Sequence, residues 1–525
     1  MRPALSRGHA AALRGHAPLL AVLGLALALR VAAEVAFRPA LFFGGDSSQY
    51  LKLALTGSPV GIAYERPSGY PLLIHAVFVL GRHMTVLTAL QHAAGLGTGL
   101  LTYALARRMG WRRGWATAAT ALVVLDAYAL ALEQHVLAEA FFTPLLVGAL
   151  LLALGRPRAR SLAASGLLLG AAVTLRTEAI FALPGFLVFV AWRRPGWRPA
   201  AAALVACLVP LAVYASWHRA ETGRLALTSA GGWYLYGRIG EIGGCGDADI
   251  PAAGRVLCRR VPRDDREGAA YHLWAPGGTA HRAFGSLTGS PARQRRINRI
   301  LRDYALAIIR DRPERYAGMV AADVLRYFEP GVASRSVSDS AISFSAPATA
   351  MGLDPAVARG WFPDVRSSVA PPAGFVRHYA RWVHTPRWLL GLLVLAGVLE
   401  VTLPRPRRRE AFLLVGVPLA ILVGATATSD FILRYLVPLT PALLVGGGSA
   451  AADLLSAALR HVRHRRGRVD GARSIEPHAV DPGTDVEGLY TGLPDRGGRP
   501  KHALGVLSRI ARAALSAARP RAPVR

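Results

Sequence analysis

Acidic residues are scarce in this chain. Asp and Glu number 32 against 62 Lys and Arg, charged residues make up 18% of 525 positions, and there are 3 cysteines. So little charge beside 52% hydrophobic residues and a mean hydropathy of +0.31 excludes an ordinary soluble globule, whose core does not need that much apolar surface. The surplus has to face lipid. A formal net charge of +30 would suit a nucleic-acid partner, yet the arginines are not gathered into a basic domain with interleaved aromatics, so no nucleic acid is expected. His135 has no second His at ligand spacing, and neither a metal nor a cofactor is expected. With few cysteines, placement matters. Cys207 lies inside an apolar block and reads as a packing residue. Cys245 and Cys258 share the one long polar segment, close enough to close a small loop, so a disulfide in an oxidising compartment is expected, contributing roughly 3 kcal/mol.

What the chain has instead is apolar blocks of membrane-crossing length. A hydrocarbon layer of ~30 Å takes ~20 helical residues. The first block runs from about Ala17 to Phe37 behind a basic leader with Arg2, Arg7 and Arg14. It reads as an uncleaved anchor, with Arg30 and Glu34 spaced to neutralise each other. Further blocks lie at about Met84 to Leu105, Trp115 to Leu125, Val136 to Leu154, Leu162 to Leu175, Ala179 to Trp192, Ala200 to Trp217, Trp388 to Val401, Ala411 to Ala427 and Phe431 to Leu455. The expected fold is an all-α polytopic membrane protein with about ten transmembrane helices and a small extracytoplasmic domain.

Orientation follows from arginine, because short cytoplasmic loops retain Lys and Arg. With the N-terminus inside, the inside connections are Arg107 to Arg113, Arg156 to Arg160, Arg193 to Arg198 and Arg405 to Arg409, and the tail begins at Arg460. Each is an arginine cluster. The domain plan is a leader over 1–16, an N-terminal transmembrane module over 17–217 with its first outer loop at 38–82, an extracytoplasmic loop domain over 218–387, C-terminal transmembrane helices over 388–455, and a basic tail over 456–525. Within the loop domain, Arg293 to Ile309 carries Ile297, Ile300, Leu301, Tyr304 and Ile308 at helical spacing, and Tyr316 to Tyr327 also reads as helix. Ser334 to Ser345 reads as a Ser-rich loop. The tail from Leu504 to Leu515 reads either as a helix lying on anionic lipid or as a solvated segment.

Ionisable groups at the outer ends of spans need a partner or a purpose. Gly44-Gly45-Asp46-Ser47-Ser48-Gln49-Tyr50 follows the first span. Asp46 there either caps a helix, with Gln49 completing a capping box, or takes a proton from an acceptor hydroxyl. Tyr64-Glu65-Arg66-Pro67-Ser68-Gly69-Tyr70-Pro71 is stiffened by two prolines around Glu65 and Arg66. It is either a turn into an interfacial helix or a ligand-binding strap. Asp126, Glu133 and Glu139 lie in and beside the next outer connection. Arg176, Glu178, Arg434 and Tyr435 fall at the outer ends of later spans, as snorkelling side chains or as phosphate ligands.

The order of a first span, Gly-Asp-Ser-x-x-Tyr, Arg-Pro-x-Gly-Tyr-Pro, then Leu-Arg-Thr-Glu and a late Arg-Tyr-Leu-Val-Pro-Leu-Thr-Pro resembles the polytopic C-type (GT-C) glycosyltransferases. The resemblance is to the bacterial branch related to protein O-mannosyltransferases and the lipid A aminoarabinose transferase, and covers about Ala17 to Leu455. It implies an inverting transferase that moves a sugar from a polyprenyl-phosphate donor to a protein, glycolipid or polysaccharide acceptor outside the cytoplasm of a bacterial cell. By that resemblance Asp46 is the general base, Asp126, Glu133 and Glu139 compete as a second acid with Glu139, before an aromatic pair, favoured, and Arg66 holds the carrier phosphate. Tyr50, Glu65, Tyr70, Arg176, Glu178, Arg434 and Tyr435 line the substrate site. Arg66 stands where the aminoarabinose transferase has lysine, which keeps the charge and changes its geometry. Asp46 is followed by Ser47, whereas the protein-mannosylating branch has an acidic pair. The competing readings are a lipid-linked sugar transporter or flippase, and a noncatalytic assembly partner. Against the first, the mid-span regions are almost uncharged and no internal repeat is evident.

Overall fold

The computed structural model describes residues 4–43, 45–56, 66–240, 242, 244–246, 248–258, 268–275, 277–285, 289–330, 344, 360, 363 and 368–473. Glu65, Arg2, most of the Ser334 to Ser345 loop and the Leu504 to Leu515 tail lie outside the described residues. The chain divides into Met1–Arg460, which holds everything discussed below, and His461–Arg525, of which only the end of the last helix is described.

Among the described residues the architecture is almost entirely helical. In order come α1 (Ala4–Ala36), α2 (Asp46–Thr56), α3 (Gly69–Gly81), α4 (Met84–Arg108), α5 (Arg113–Val124), α6 (Ala127–Gln134), α7 (Glu139–Ala153), α8 (Ala159–Leu175), α9 (Ala182–Trp192) and α10 (Trp197–Thr222). Then follow α11 (Gly231–Ile239), α12 (Ala269–Trp274), α13 (Thr279–Phe284), α14 (Pro291–Asp311), α15 (Pro313–Arg326), α16 (Pro372–Trp382), α17 (Arg387–Thr402), α18 (Arg408–Thr428, with a π turn at Phe412–Gly416) and α19 (Thr440–Arg473). The strands described are β1 (Phe37–Arg38) and β2 (Ser368–Val369), paired antiparallel.

Among the described residues four helices are long and apolar enough to cross a membrane: Gly15–Ala36, Trp197–Thr222, Arg408–Thr428 and Leu433–His461. The bent pairs α5 with α6 (50°) and α16 with α17 (43°) bring the count to six, and Gly69–Gly81, Glu139–Ala153, Ala159–Leu175 and Thr177–Trp192 are shorter apolar helices. Their outward surfaces are greasy. On α1, Leu20, Leu25, Leu27 and Val31 are each at least half exposed, which water would penalise and lipid does not. The chain is a membrane protein. The bend between α5 and α6 has a local cause: Asp126 Oδ1 accepts from the Tyr128 and Ala129 amides at 2.9 and 3.0 Å, and Oδ2 accepts from the Thr385 amide at 2.6 Å. A capped start cannot also continue the preceding helix.

Small residues let two helices close up. Gly166 and Gly170, one turn apart on α8, face α10 so tightly that a Cβ on either would lie 2.3 Å from a backbone oxygen, Ala203 O and Cys207 O respectively. Backbone contact through small residues is how helices associate when lipid offers no hydrophobic gain. In the 218–387 segment a separate core forms from Trp233, Tyr236 and Ile239 of α11 against Ile297, Leu301, Tyr304 and Ile308 of α14. Cys245 and Cys258 are joined as a disulfide beside it.

The expected Arg30–Glu34 pair does not form. Arg30 Nη2 donates instead to Glu133 Oε1 at 2.7 Å, and its Nη1 to the Ala26 and Val124 carbonyls at 3.0 Å. Glu34 accepts from Gln134 Nε2 at 3.4 Å. Spacing along one helix permits a pair, but α6 brings in a carboxylate that needs a cation more, being itself buried.

The four arginine connections gather at one end of the bundle. Arg108 donates to Leu154 O through Nε and Nη2 (3.2 and 2.9 Å), and Arg193 Nη1 donates to Ala153 O and Gly155 O (2.5 and 2.7 Å). Arg408 and Arg409 lie 5.2 and 5.9 Å from the Trp192 ring centre. The first residue of α7, Glu139, and the residue after α8, Arg176, are therefore at the other end, ~22 Å away for the 15 residues of α7 at 1.5 Å each.

Candidate functional site

At that opposite end, chain breaks place charged groups from five segments in one buried cluster. Asp46 is the first residue of α2, and the turn before it is fixed by Ser47, whose Oγ accepts from the Phe43 amide (2.9 Å) and donates to Val136 O (2.9 Å). Arg66 precedes Pro67 and the start of α3. Glu139 opens α7, just past a bridge in which Leu41 N donates to Gln134 O and Val136 N donates to Leu41 O. Arg176 and Glu178 occupy the break between α8 and α9. Arg434 and Tyr435 form a short 3-10 turn before α19, held from the loop segment by Tyr327, whose hydroxyl donates to Ile432 O at 3.1 Å. Pro438 and Pro441 follow, and proline's missing N–H favours such broken helix starts.

The cluster is a chain of ion pairs. Arg66 Nη2 lies 2.5 Å from Asp46 Oδ1, and Arg434 Nη2 lies 2.6 Å from Asp46 Oδ2. Arg434 Nε is 3.6 Å from Glu139 Oε1, which also pairs with Arg176 Nη1, and Arg176 Nη2 reaches Glu178 Oε1 at 2.5 Å. Three carboxylates (Asp46, Glu139, Glu178) and three guanidiniums (Arg66, Arg176, Arg434) sum to zero formal charge. Asp46, Glu139 and Arg434 are each 1–2% exposed, so their charges have little water to lean on. Burial alone would raise the Asp46 carboxyl, but the charges of Arg434 and Arg66 outweigh it and hold it below its ordinary value. Burial likewise opposes the Arg66 charge, and Asp46 overcomes it, raising Arg66 further. Asp46 is thus a firmly ionised carboxylate, engaged rather than idle.

Aromatic rings wall the cluster. The Tyr435 ring lies 5.1 Å from the Arg176 guanidinium carbon and 5.9 Å from that of Arg434, which is also 5.4 Å from Phe43. Cations held between ring faces keep N–H groups directed at oxygen ligands. Tyr50 packs edge-on to Tyr70 with ring centres 5.0 Å apart, and burial pushes the Tyr50 hydroxyl up to about 12. Beside Glu139 opens a cavity of ≈ 490 Å³, lined mainly by apolar side chains with Glu133, Tyr128, His384, Arg387 and Trp388 among them.

Of the sequence-derived candidates, Asp46, Glu139, Arg66, Arg176, Glu178, Arg434, Tyr435, Tyr50 and Tyr70 are brought together here. Cys245 and Cys258 belong to the other core. Asp126 caps α6, and Glu133 pairs with Arg30 and with His92 Nδ1 at 2.9 Å, so of the three competing acids Glu139 is the one in the cluster. Sequence reading missed Gln91. It accepts from the Tyr70 hydroxyl at 2.5 Å and donates to Glu133 O and His135 O at 2.6 and 2.8 Å, tying α3 to the segment that leads into Glu139. The available signal was a polar Gln-His pair inside an otherwise apolar helix. Tyr234 of α11, which acts electrostatically on Arg66, had no motif to announce it. Among the described residues no group of three or more His, Cys, Asp or Glu is arranged to hold a metal.

No family model matches the chain, and no curated protein matches it either. Two solved structures are similar to it in part. Both are ArnT from Cupriavidus metallidurans, one bound to undecaprenyl phosphate and one in the apo state. The first has a TM-score of 0.33 and 15% identity over 83% of this chain and 78% of that one. The second has a TM-score of 0.32 and 17% identity over 82% and 77%. A likeness of this size leaves the functional reading to the residues of the cluster.

Proposed function

We propose that the chain is an inverting glycosyltransferase that moves a sugar from a polyprenyl-phosphate carrier to an acceptor on the extracytoplasmic side of a bacterial plasma membrane. The observation that carries this reading is the Asp46 carboxylate held between Arg66 and Arg434, a potential base already sitting on the guanidiniums that a phosphate would take. Arginine clusters at the other end of the bundle support a cytoplasmic assignment for that end. The site end is then outside, with about ten crossings once the shorter apolar helices are counted as spans and the 218–387 segment as an outer domain.

The charge balance fits the reaction. A carrier-linked sugar arrives as a phosphodiester with one negative charge, and its phosphate oxygens compete with Asp46 for Arg66 and Arg434. Losing those cations makes Asp46 more basic just when a base is needed. The acceptor oxygen then attacks the anomeric carbon from the face opposite the phosphate, and its proton passes to Asp46. The anomeric C–O bond to phosphate breaks, so the leaving phosphate monoester gains the negative charge that Asp46 loses. Guanidiniums in a dry site stabilise that developing charge best. Glu139 keeps Arg176 and Arg434 in place as the phosphate exchanges. The adjoining apolar cavity is the space offered to the lipid end of the donor or acceptor.

The test is transfer of radiolabelled sugar from polyprenyl-phosphate sugar by the full-length chain and by Asp46→Asn. Loss of transfer in the variant supports the reading. Full transfer by the variant removes Asp46 as base, and absence of transfer by the native chain to protein, glycolipid and polysaccharide acceptors favours a flippase or assembly partner.

A further inference from the structure

The arginine end of the bundle has its own binding chemistry. Its four connections contribute arginines at 107, 108, 112 and 113, at 156, 158 and 160, at 193, 194 and 198, and at 405 and 407–409, against which stand Glu400, Glu410 and Asp453, the last 3.5 Å from Arg407 Nη1. Folding concentrates this charge. Arg193 is half-buried after α9, with Nη1 fixed on the Ala153 and Gly155 carbonyls at the end of α7. Such carbonyls attract cations. Burial disfavours its charge, as do the guanidiniums of Arg108 and Arg409, with Glu410 opposing them. Arg408 and Arg409, both exposed, share the half-buried Trp192 ring at 5.2 and 5.9 Å, and that ring packs edge-on to Phe412 at 5.9 Å. A guanidinium above a ring keeps its N–H edge for oxygen ligands.

We propose that Arg408 and Arg409 over the Trp192 ring, with Arg193 next to Trp192 in the chain and in the field of Arg409, bind the phosphate of an anionic phospholipid headgroup. Like charges drawn from separate helix ends are stable together when an anion sits among them, and a phosphodiester offers two unesterified oxygens to their forks. The surroundings favour a lipid over free phosphate. Val188, one turn before Trp192 on α9, is 53% exposed, and Trp197, just past the same connection, is 76% exposed. An apolar strip leading to a tryptophan and an arginine cluster is the profile of a helix end at headgroup depth. An acyl chain can follow Val188 while the head meets the arginines. This site is separate from the Asp46 cluster and does not depend on what that cluster transfers.

The experiment is native mass spectrometry of the detergent-solubilised full chain given equimolar phosphatidylglycerol and phosphatidylcholine. Preferential retention of phosphatidylglycerol is expected, and Arg408→Gln with Arg409→Gln should lower it by on the order of tenfold. Both side chains are exposed, and an unchanged melting temperature of the double variant in detergent separates lost binding from lost folding. Arg112→Gln with Arg113→Gln serves as the control for charge alone and should leave most of the retention. Equal retention of the two lipids, equal loss in both double variants, or displacement of phosphatidylglycerol by inorganic phosphate would overturn the proposal.

Discussion

Asp46 and Arg434 meet at 2.6 Å, one at the start of α2 and the other in the turn before the last helix. With Arg66 on the second oxygen at 2.5 Å, this contact ties both ends of the membrane module to one carboxylate. A buried pair is weak evidence for stability by itself, since desolvation offsets much of the attraction, but removing one partner leaves the others uncompensated. Asp46→Asn should therefore destabilise the fold by about 3 kcal/mol and reduce transfer by a factor on the order of 10² to 10⁴. Thermal unfolding in detergent and a single-turnover assay check the two separately. A variant as stable as the native chain would mean that the guanidiniums are satisfied without Asp46.

The same contact sets a pH dependence. Because the Asp46 carboxyl is held below its ordinary value by Arg434 and Arg66 despite burial, its contribution to stability is fully present above the unfolded value of about 3.9. It is lost only as pH falls through the lower folded value. The stability difference between the native chain and Asp46→Asn should accordingly stay constant from pH 8 down to about 5 and shrink only in more acidic solution. Melting temperatures of both proteins across that range measure it, and a difference already decaying near neutrality would contradict the depressed value.

Arg66 tests the geometry of the proposed phosphate site. Lysine keeps the charge but offers one ammonium in place of a planar fork. Arg66→Lys should leave the fold intact and lower kcat, with Arg66→Gln lowering it further, by ~3 kcal/mol in the barrier or roughly 10²-fold. Equal kcat for the native chain and Arg66→Lys would show that charge alone suffices at this position.

Much of this site could be read from sequence because its members sit beside breaks in apolar blocks, where an ionisable group has few innocent uses. Asp46, Arg66, Arg176 and Arg434 all qualify by position. What the sequence could not supply was the partner of each. Arg30 and Glu34 have ideal spacing for a pair on one helix, yet Arg30 turns to Glu133 of α6, because the need of a buried carboxylate outweighs the small gain of a surface-type pair. Likewise Tyr234 carries no motif and Gln91 only the mark of a polar residue in an apolar helix, and the partners of both are fixed only when α4 and α11 are placed against the cluster. The arginine connections were legible as a set, since one rule governs them all. Span number was harder, because α5 and α6 share one apolar run that Asp126 bends, and α3 is apolar but short.

Glu139 and Asp126 separate the proposed site from a helix cap. Glu139 touches the arginine cluster, whereas Asp126 spends both oxygens on amides of α6 and Thr385. Asp126→Ala should cost about 1–2 kcal/mol of stability, the usual price of a lost cap, with the KM for donor unchanged in the folded fraction. Glu139→Gln should raise donor KM or lower kcat and, because it leaves Arg176 and Arg434 partly uncompensated in a buried site, should also cost about 3 kcal/mol of stability. Matching kinetic defects in both variants would place Asp126 in the site after all.

The α8–α10 contact is a test of the scaffold alone. At Gly170 an added Cβ would lie 2.3 Å from Cys207 O and 3.2 Å from the Pro210 ring. Neither neighbour can yield as a flexible side-chain tip could, because one is helix backbone and the other a ring locked to it. Gly170→Leu must then push the two helices apart, costing about 1–3 kcal/mol as overpacking does elsewhere. Arg176 follows α8 directly, so this separation also moves a guanidinium away from Glu139. Gly24→Leu, at an α1 position with nothing within 4 Å of the added Cβ, should by contrast be tolerated. Melting temperature and donor binding measured on both variants decide it: the two should fall together for Gly170→Leu and remain native for Gly24→Leu, and a native melting temperature for Gly170→Leu would mean that α8 and α10 do not meet through these glycines.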